Sequence, residues 1–239
     1  MSVPPPPGAA QPSGPPPDDA LGEVAGVWAV ALAVSGLALA LLPQGGGRRA
    51  AVPVVWAGAA LVAMVRERRG GLERFGLHCR HALRDAGWVL LYAAVVFPPF
   101  VLAWFAYFGT AGWRPPAPTV ALSAFGWHTL WAALPEELFF RGYVQTRLHD
   151  RWPPAPRRGL WPPLLDRAVL AAAALFAITH LAYEPAPWSV AGLGRLATFF
   201  PGVLFGALRA QTGGLLAPVL FHAACNALLE SLQAGYRLP

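Results

Sequence analysis

The sequence predicts an all-α fold, a polytopic transmembrane helical bundle of about seven spans, and three observations carry that expectation. The 239 residues are 56% hydrophobic and only 13% charged, too apolar for an ordinary soluble domain. The apolar residues gather into seven stretches, most of which approach the roughly 20 residues that a helix needs to cross a bilayer. The breaks between stretches are rich and poor in arginine in turn, as alternating membrane faces require.

Residues 1–20 hold eight prolines with Gly, Ser, Gln and the pair Asp18-Asp19, a composition that predicts a disordered tail. They do not resemble a signal peptide, because a basic start is missing and the following apolar stretch is long enough to span. The apolar stretches lie near residues 22–42, 50–65, 87–108, 120–140, 168–183, 190–210 and 214–234. The second and fifth are short, which calls for less tilt, a thinned bilayer, or extension by neighbouring residues. The segment 71–87 mixes Leu72, Phe75, Leu77 and Leu83 with charges, and fits an amphipathic helix on the inner leaflet as well as a polar loop. Residues 152–163 form a Pro-rich extended connector whose tryptophans suit the headgroup level.

Arginine placement sets the orientation. The break at 66–86 carries Arg66, Arg68, Arg69, Arg74, Arg80 and Arg84, whereas 109–119 has only Arg114. After the fourth stretch come Arg147, Arg151, Arg157, Arg158 and Arg167, and 184–189 has none. The basic breaks are therefore expected to face the cytoplasm, giving a multi-pass protein of the cell membrane with a cytoplasmic N-terminus. The formal charge of +6 comes from eighteen arginines and no lysine; spread over short breaks, they do not form a nucleic-acid face. Cys79 and Cys225 are too few and too far apart for a disulfide framework or a metal cluster, and Cys225 suits helix packing.

Three short motifs put polar groups inside these apolar stretches: Glu136-Glu137-x-x-x-Arg141, Phe176-x-x-x-His180 and His222-x-x-x-Asn226. Ionisable side chains in hydrocarbon are costly, so they mark a functional site by default. Residues four apart share a helix face, which pairs Glu137 with Arg141 and turns Glu136 about 100° away, the carboxylate left to act as a general base. Phe176 packs beside the His180 imidazole and restricts its rotamer. His222 and Asn226 together offer two N–H donors aimed at one place, as an oxyanion site requires. One Glu-Arg pair is commonly a strut, and one membrane histidine is commonly just hydrogen-bonded to a neighbour. Three such motifs in order on three apolar helices are a site. His128 and Glu230 are read as peripheral, and His78, His81 and His149 as solvated.

In this order, the motifs resemble the signature of the CPBP family of intramembrane proteases, also called the CAAX-processing or Abi family. The resemblance covers residues 120–234 and makes them the catalytic core, with 21–119 as N-terminal transmembrane helices carrying a basic cytoplasmic loop. It implies a cavity opening toward membrane and cytosol, and a glutamate-dependent, metal-independent endopeptidase with no cofactor. By the resemblance, Glu136 and His180 activate the water, His222 and Asn226 stabilise the oxyanion, and Glu137 with Arg141 supports the first glutamate. The expected partners are the lipid bilayer and a protein or peptide substrate: a prenylated CAAX tail, a bacteriocin-like peptide or a sorting helix, with a peptide or membrane anchor favoured. Two other readings compete. Glu136, His180 and His222 are also a possible zinc set, although the HExxH signature is absent. The same groups also suit a non-catalytic immunity or maturation scaffold, or an ion relay.

Overall fold

The computed structural model describes residues 19–43, 45–67, 71–154 and 163–236. The predicted disordered tail, as far as residue 18, and residues 155–162 of the predicted connector lie outside the described residues. Among the described residues there are seven helices: α1 (Ala20–Leu41), α2 (Gly46–Arg66), α3 (Ala82–Phe108), α4 (residues 118–151), α5 (Arg167–Ala182), α6 (Val190–Thr212) and α7 (Leu216–Ala234). They form an all-α bundle. Helices α1, α3 and α6 are long and apolar enough to cross a membrane, and α2 and α5 hold shorter apolar stretches.

Each helix lies where its apolar stretch predicts, with differences at the ends. Helix α2 begins at Gly46, ahead of its apolar stretch, because winding needs only backbone hydrogen bonds. The fifth stretch does stay short; Asp166 caps α5 by accepting from the Val169 N–H at 3.0 Å. Segment 71–87 is not one amphipathic helix. A 3₁₀ turn (Leu72–Phe75) ends at Gly76, in the left-handed region at φ +84°, and α3 starts only at Ala82. The Arg209 guanidinium lies against Gly76 and donates to the carbonyls of Arg74, at 3.0 Å, and Gly213, at 2.6 Å.

Helix α4 is the axis of the bundle. It continues well past its apolar stretch because its polar end is held inside: Arg147 pairs with Glu67 at 3.1 Å and Asp150 at 2.7 Å, and also with Glu23. Pro135 interrupts it, lacking an N–H and crowding the carbonyl of Trp131. The helix widens into π-turns on both sides, at Thr129–Ala133 and Leu138–Val144, which bracket the two glutamates. Every residue of the second π-turn is buried. Trp56 of α2 meets Phe139 edge-on at 4.5 Å, and Phe176 of α5 meets Phe140 at 5.2 Å.

Helix α6 approaches closely through Gly202 and Gly206, a small-residue pair one turn apart. A Cβ at Gly206 would lie 2.9 Å from Val169 Cγ1 and 3.0 Å from Gln145 Oε1, too near for either. Gly206→Val should therefore lower stability by about 1–3 kcal/mol, the usual cost of overpacking. Gly58→Ala, where no atom lies within 4 Å, is the control. Thermal unfolding in detergent measures both; an unchanged transition for Gly206→Val would mean that α6 can move away freely.

Candidate active site

The site is built on four helices. Glu136, Glu137 and Arg141 project from α4, between and within its π-turns, and His180 stands in the last turn of α5. His222 and Asn226 lie one turn apart on α7, and α6 closes the fourth side.

Glu137 is the hub. Its side chain is 0% exposed, and Oε1 accepts from Arg141 Nη1 at 3.0 Å and from His222 Nδ1 at 2.8 Å. The sequence predicted the first of these links but not the second. Arg141, equally buried, also donates from Nη2 to the Gly202 carbonyl at 2.9 Å, and its guanidinium lies 4.6 Å from the Phe176 ring centroid. With Nδ1 held by Glu137, the His222 ring turns Nε2 toward Glu136 Oε2, 3.8 Å away. Glu136 keeps 24% of its side chain exposed, so unlike Glu137 it is reachable from outside the protein interior.

His180 donates from Nδ1 to the Phe176 carbonyl at 2.9 Å. A carbonyl only accepts, so this bond leaves the Nε2 lone pair of a neutral ring available. The Phe176 ring packs on the imidazole at 4.4 Å, as the spacing predicts, and also meets the His222 ring edge-on at 5.8 Å. His180, His222 and Asn226 line one cavity of about 340 Å³, whose other walls are apolar: Phe97, Phe100, Phe200, Leu204 and Leu229 among them. Glu136 is not in that wall and joins the group through His222. All six singled-out residues thus fall into one constellation. Cys225 is a free thiol in the same wall, next to Asn226.

The peripheral residues fall elsewhere. His128 does not line this cavity; its Nε2 pairs with Glu230 Oε2 at 2.8 Å, joining α4 to α7. His149 is not solvated but pairs with Asp166 at 3.0 Å, and His78 is partly buried against Gly214. A larger cavity of about 780 Å³ lies beyond Arg141, lined by Gln145, His149, Asp166 and Arg209, and none of the histidines of the three motifs reaches it. Among the described residues no three His, Cys, Asp or Glu side chains are grouped closely enough to hold a metal ion, so the geometry lends no weight to the zinc set.

Two groups of the site lie outside the three motifs. Phe205 of α6 stacks on the His222 ring, with centroids 4.5 Å apart and planes at 15°, and it belongs to no motif in the sequence. The Gly202 carbonyl is a backbone group; the glycine pair 202/206 on an apolar helix was the available hint.

Residues 118–228, which carry all six site residues and make up just under half of the chain, match the family described as type II CAAX prenyl endopeptidase Rce1-like. No curated protein and no solved structure matches the chain. The match agrees with the resemblance carried by the three motifs: over this segment the membrane protein is similar to the Rce1-like family of type II CAAX prenyl endopeptidases.

Proposed function

We propose that the chain is an intramembrane endopeptidase that hydrolyses a peptide bond near the C-terminus or membrane anchor of a protein substrate, using a glutamate and histidines and no metal. One observation carries this reading: the buried chain Arg141–Glu137–His222 ends 3.8 Å from the second carboxylate, Glu136. A strut needs one carboxylate with its hydrogen bonds satisfied. Here Oε2 of both Glu136 and Glu137 is buried without a hydrogen-bond partner among the described residues, an arrangement that costs stability and is expected where chemistry uses it.

The roles follow from which atoms are free. Glu136 takes a proton from water, with the His180 Nε2 lone pair accepting from the same molecule, and the oxygen attacks the carbonyl carbon. The carbonyl oxygen becomes an oxyanion and accepts from the Asn226 amide and from His222 Nε2–H. With Nδ1–H committed to Glu137, His222 offers that second N–H only as an imidazolium; a carboxylate on Nδ1 supports such a ring, as in Ser-His-Asp hydrolases. The tetrahedral carbon then expels the amine, which takes the proton held by Glu136, leaving a carboxylic acid and an amine. The apolar wall of the cavity favours a lipid-soluble tail or an anchor helix over a polar peptide.

Peptide hydrolysis by purified variants in detergent tests the mechanism. Glu136→Gln and His180→Ala should each lower kcat by about 10²-fold or more with folding retained, and Glu137→Gln should cost less. A strong chelator should leave the wild-type rate unchanged. Full activity in Glu136→Gln would favour a scaffold or relay, and activity lost to the chelator and restored by zinc would establish the metal mechanism instead.

The proposed orientation puts the basic breaks in the cytoplasm, and Cys79, an exposed free thiol, reports on it. In a Cys225→Ala background, a membrane-impermeant maleimide should label inverted vesicles and leave intact cells unlabelled. Labelling of intact cells would reverse the assignment.

A further inference from the structure

Helix α6 carries none of the three motifs, yet it touches both Arg141 and His222. The Phe205 ring, buried, is stacked on His222 at 4.5 Å, and the Arg141 guanidinium carbon lies 5.1 Å from its centroid. Its placement is fixed from two sides. The Gly202 carbonyl accepts from Arg141 Nη2 at 2.9 Å and the Gly206 carbonyl from Gln145 Nε2 at 3.0 Å, so two bonds one turn apart on α6 match two side chains one turn apart on α4. A Cβ at Gly202 would lie 3.2 Å from Ala173 Cβ and 3.3 Å from both Arg141 Nη2 and Phe176 Cδ1, which keeps this register free of side chains. Phe205 therefore cannot slide along α4 without breaking both bonds.

We propose that Phe205 is a positioning residue of the hydrolytic site: its ring face holds the His222 imidazole in the plane that aims Nε2 at Glu136, and stabilises the positive charge of His222 and Arg141. The inference rests on the proposed function, in which His222 acts as an imidazolium. An aromatic face attracts a cation through its quadrupole, most strongly where water is excluded. Among the described residues, the other charged or titratable groups around His222 are Glu136, Glu137 and Arg141 from α4, His180 from α5 and the Cys225 thiol of α7 itself. None of these lies flat against the ring, so the stacking is left to Phe205.

Replacing Phe205 with pentafluorophenylalanine keeps the shape and reverses the ring quadrupole, and Phe205→Leu removes the face altogether. Both should lower kcat about tenfold with KM changed less than about twofold, and the fluorinated protein should unfold at the wild-type temperature. If Leu fails to fold, the fluorinated protein alone decides. Wild-type kcat in the fluorinated protein, or a loss confined to KM, would overturn the proposal. Glu136→Gln assayed in the same preparation separates the two failures: if it is inactive while the Phe205 variants are fully active, only the positioning role falls; if it is active, the proposed function falls first.

Discussion

A single carboxylate oxygen, Glu137 Oε1, receives an arginine and a histidine from two different helices in the interior of the bundle. Taking such charges out of water carries a large desolvation penalty, repaid only when each partner is close and hydrogen-bonded. Removing Arg141 leaves a buried carboxylate uncompensated, and removing His222 takes away the bond from Glu137 to α7, so α4 and α7 are held at one relative height. The aim of His222 Nε2 at Glu136 is a consequence of that constraint. Other contacts reinforce it: Phe176 and Phe205 wall in both Arg141 and His222, and the Gly202 carbonyl accepts from Nη2 of the guanidinium.

The same constraint separates the two adjacent glutamates. Glu137 is sealed in by Arg141 and His222, while Glu136 stays partly exposed with a weaker neighbour at 3.8 Å. Two carboxylates with identical chemistry thus acquire different environments, which is the asymmetry that the proposed division between a structural and a proton-accepting glutamate uses. Pro135 and the flanking π-turns contribute by changing the pitch of α4 where the glutamates leave it.

Much of this was legible in the sequence because helix placement and motif spacing are local properties. Seven apolar runs became seven helices, and the Glu137–Arg141 pair followed from the four-residue repeat. The end of α4 was not legible: Arg147 and Asp150 look like loop residues until Glu23 and Glu67, supplied by α1 and α2, are known to meet them. The Glu137–His222 bond joins positions 85 residues apart, a separation about which no periodicity is informative. Phe205 was invisible for a different reason. A phenylalanine on an apolar helix ordinarily means packing, and only the orientation of its face against an imidazole distinguishes it.

The helices that lie before the matched segment are not passengers. Trp28 of α1 donates to Thr179 at 2.9 Å and Trp56 of α2 to the Tyr183 hydroxyl at 3.0 Å, one on each side of His180 along α5. Arg147 joins α1 and α2 to the far end of α4. Residues that carry no motif therefore hold α5 and α4, and with them His180 and the two glutamates, from outside the site. Helix α5 is short, with His180 in its last turn, where helices fray. Two indole hydrogen bonds at that end oppose fraying at the one place in α5 where it would displace a site residue.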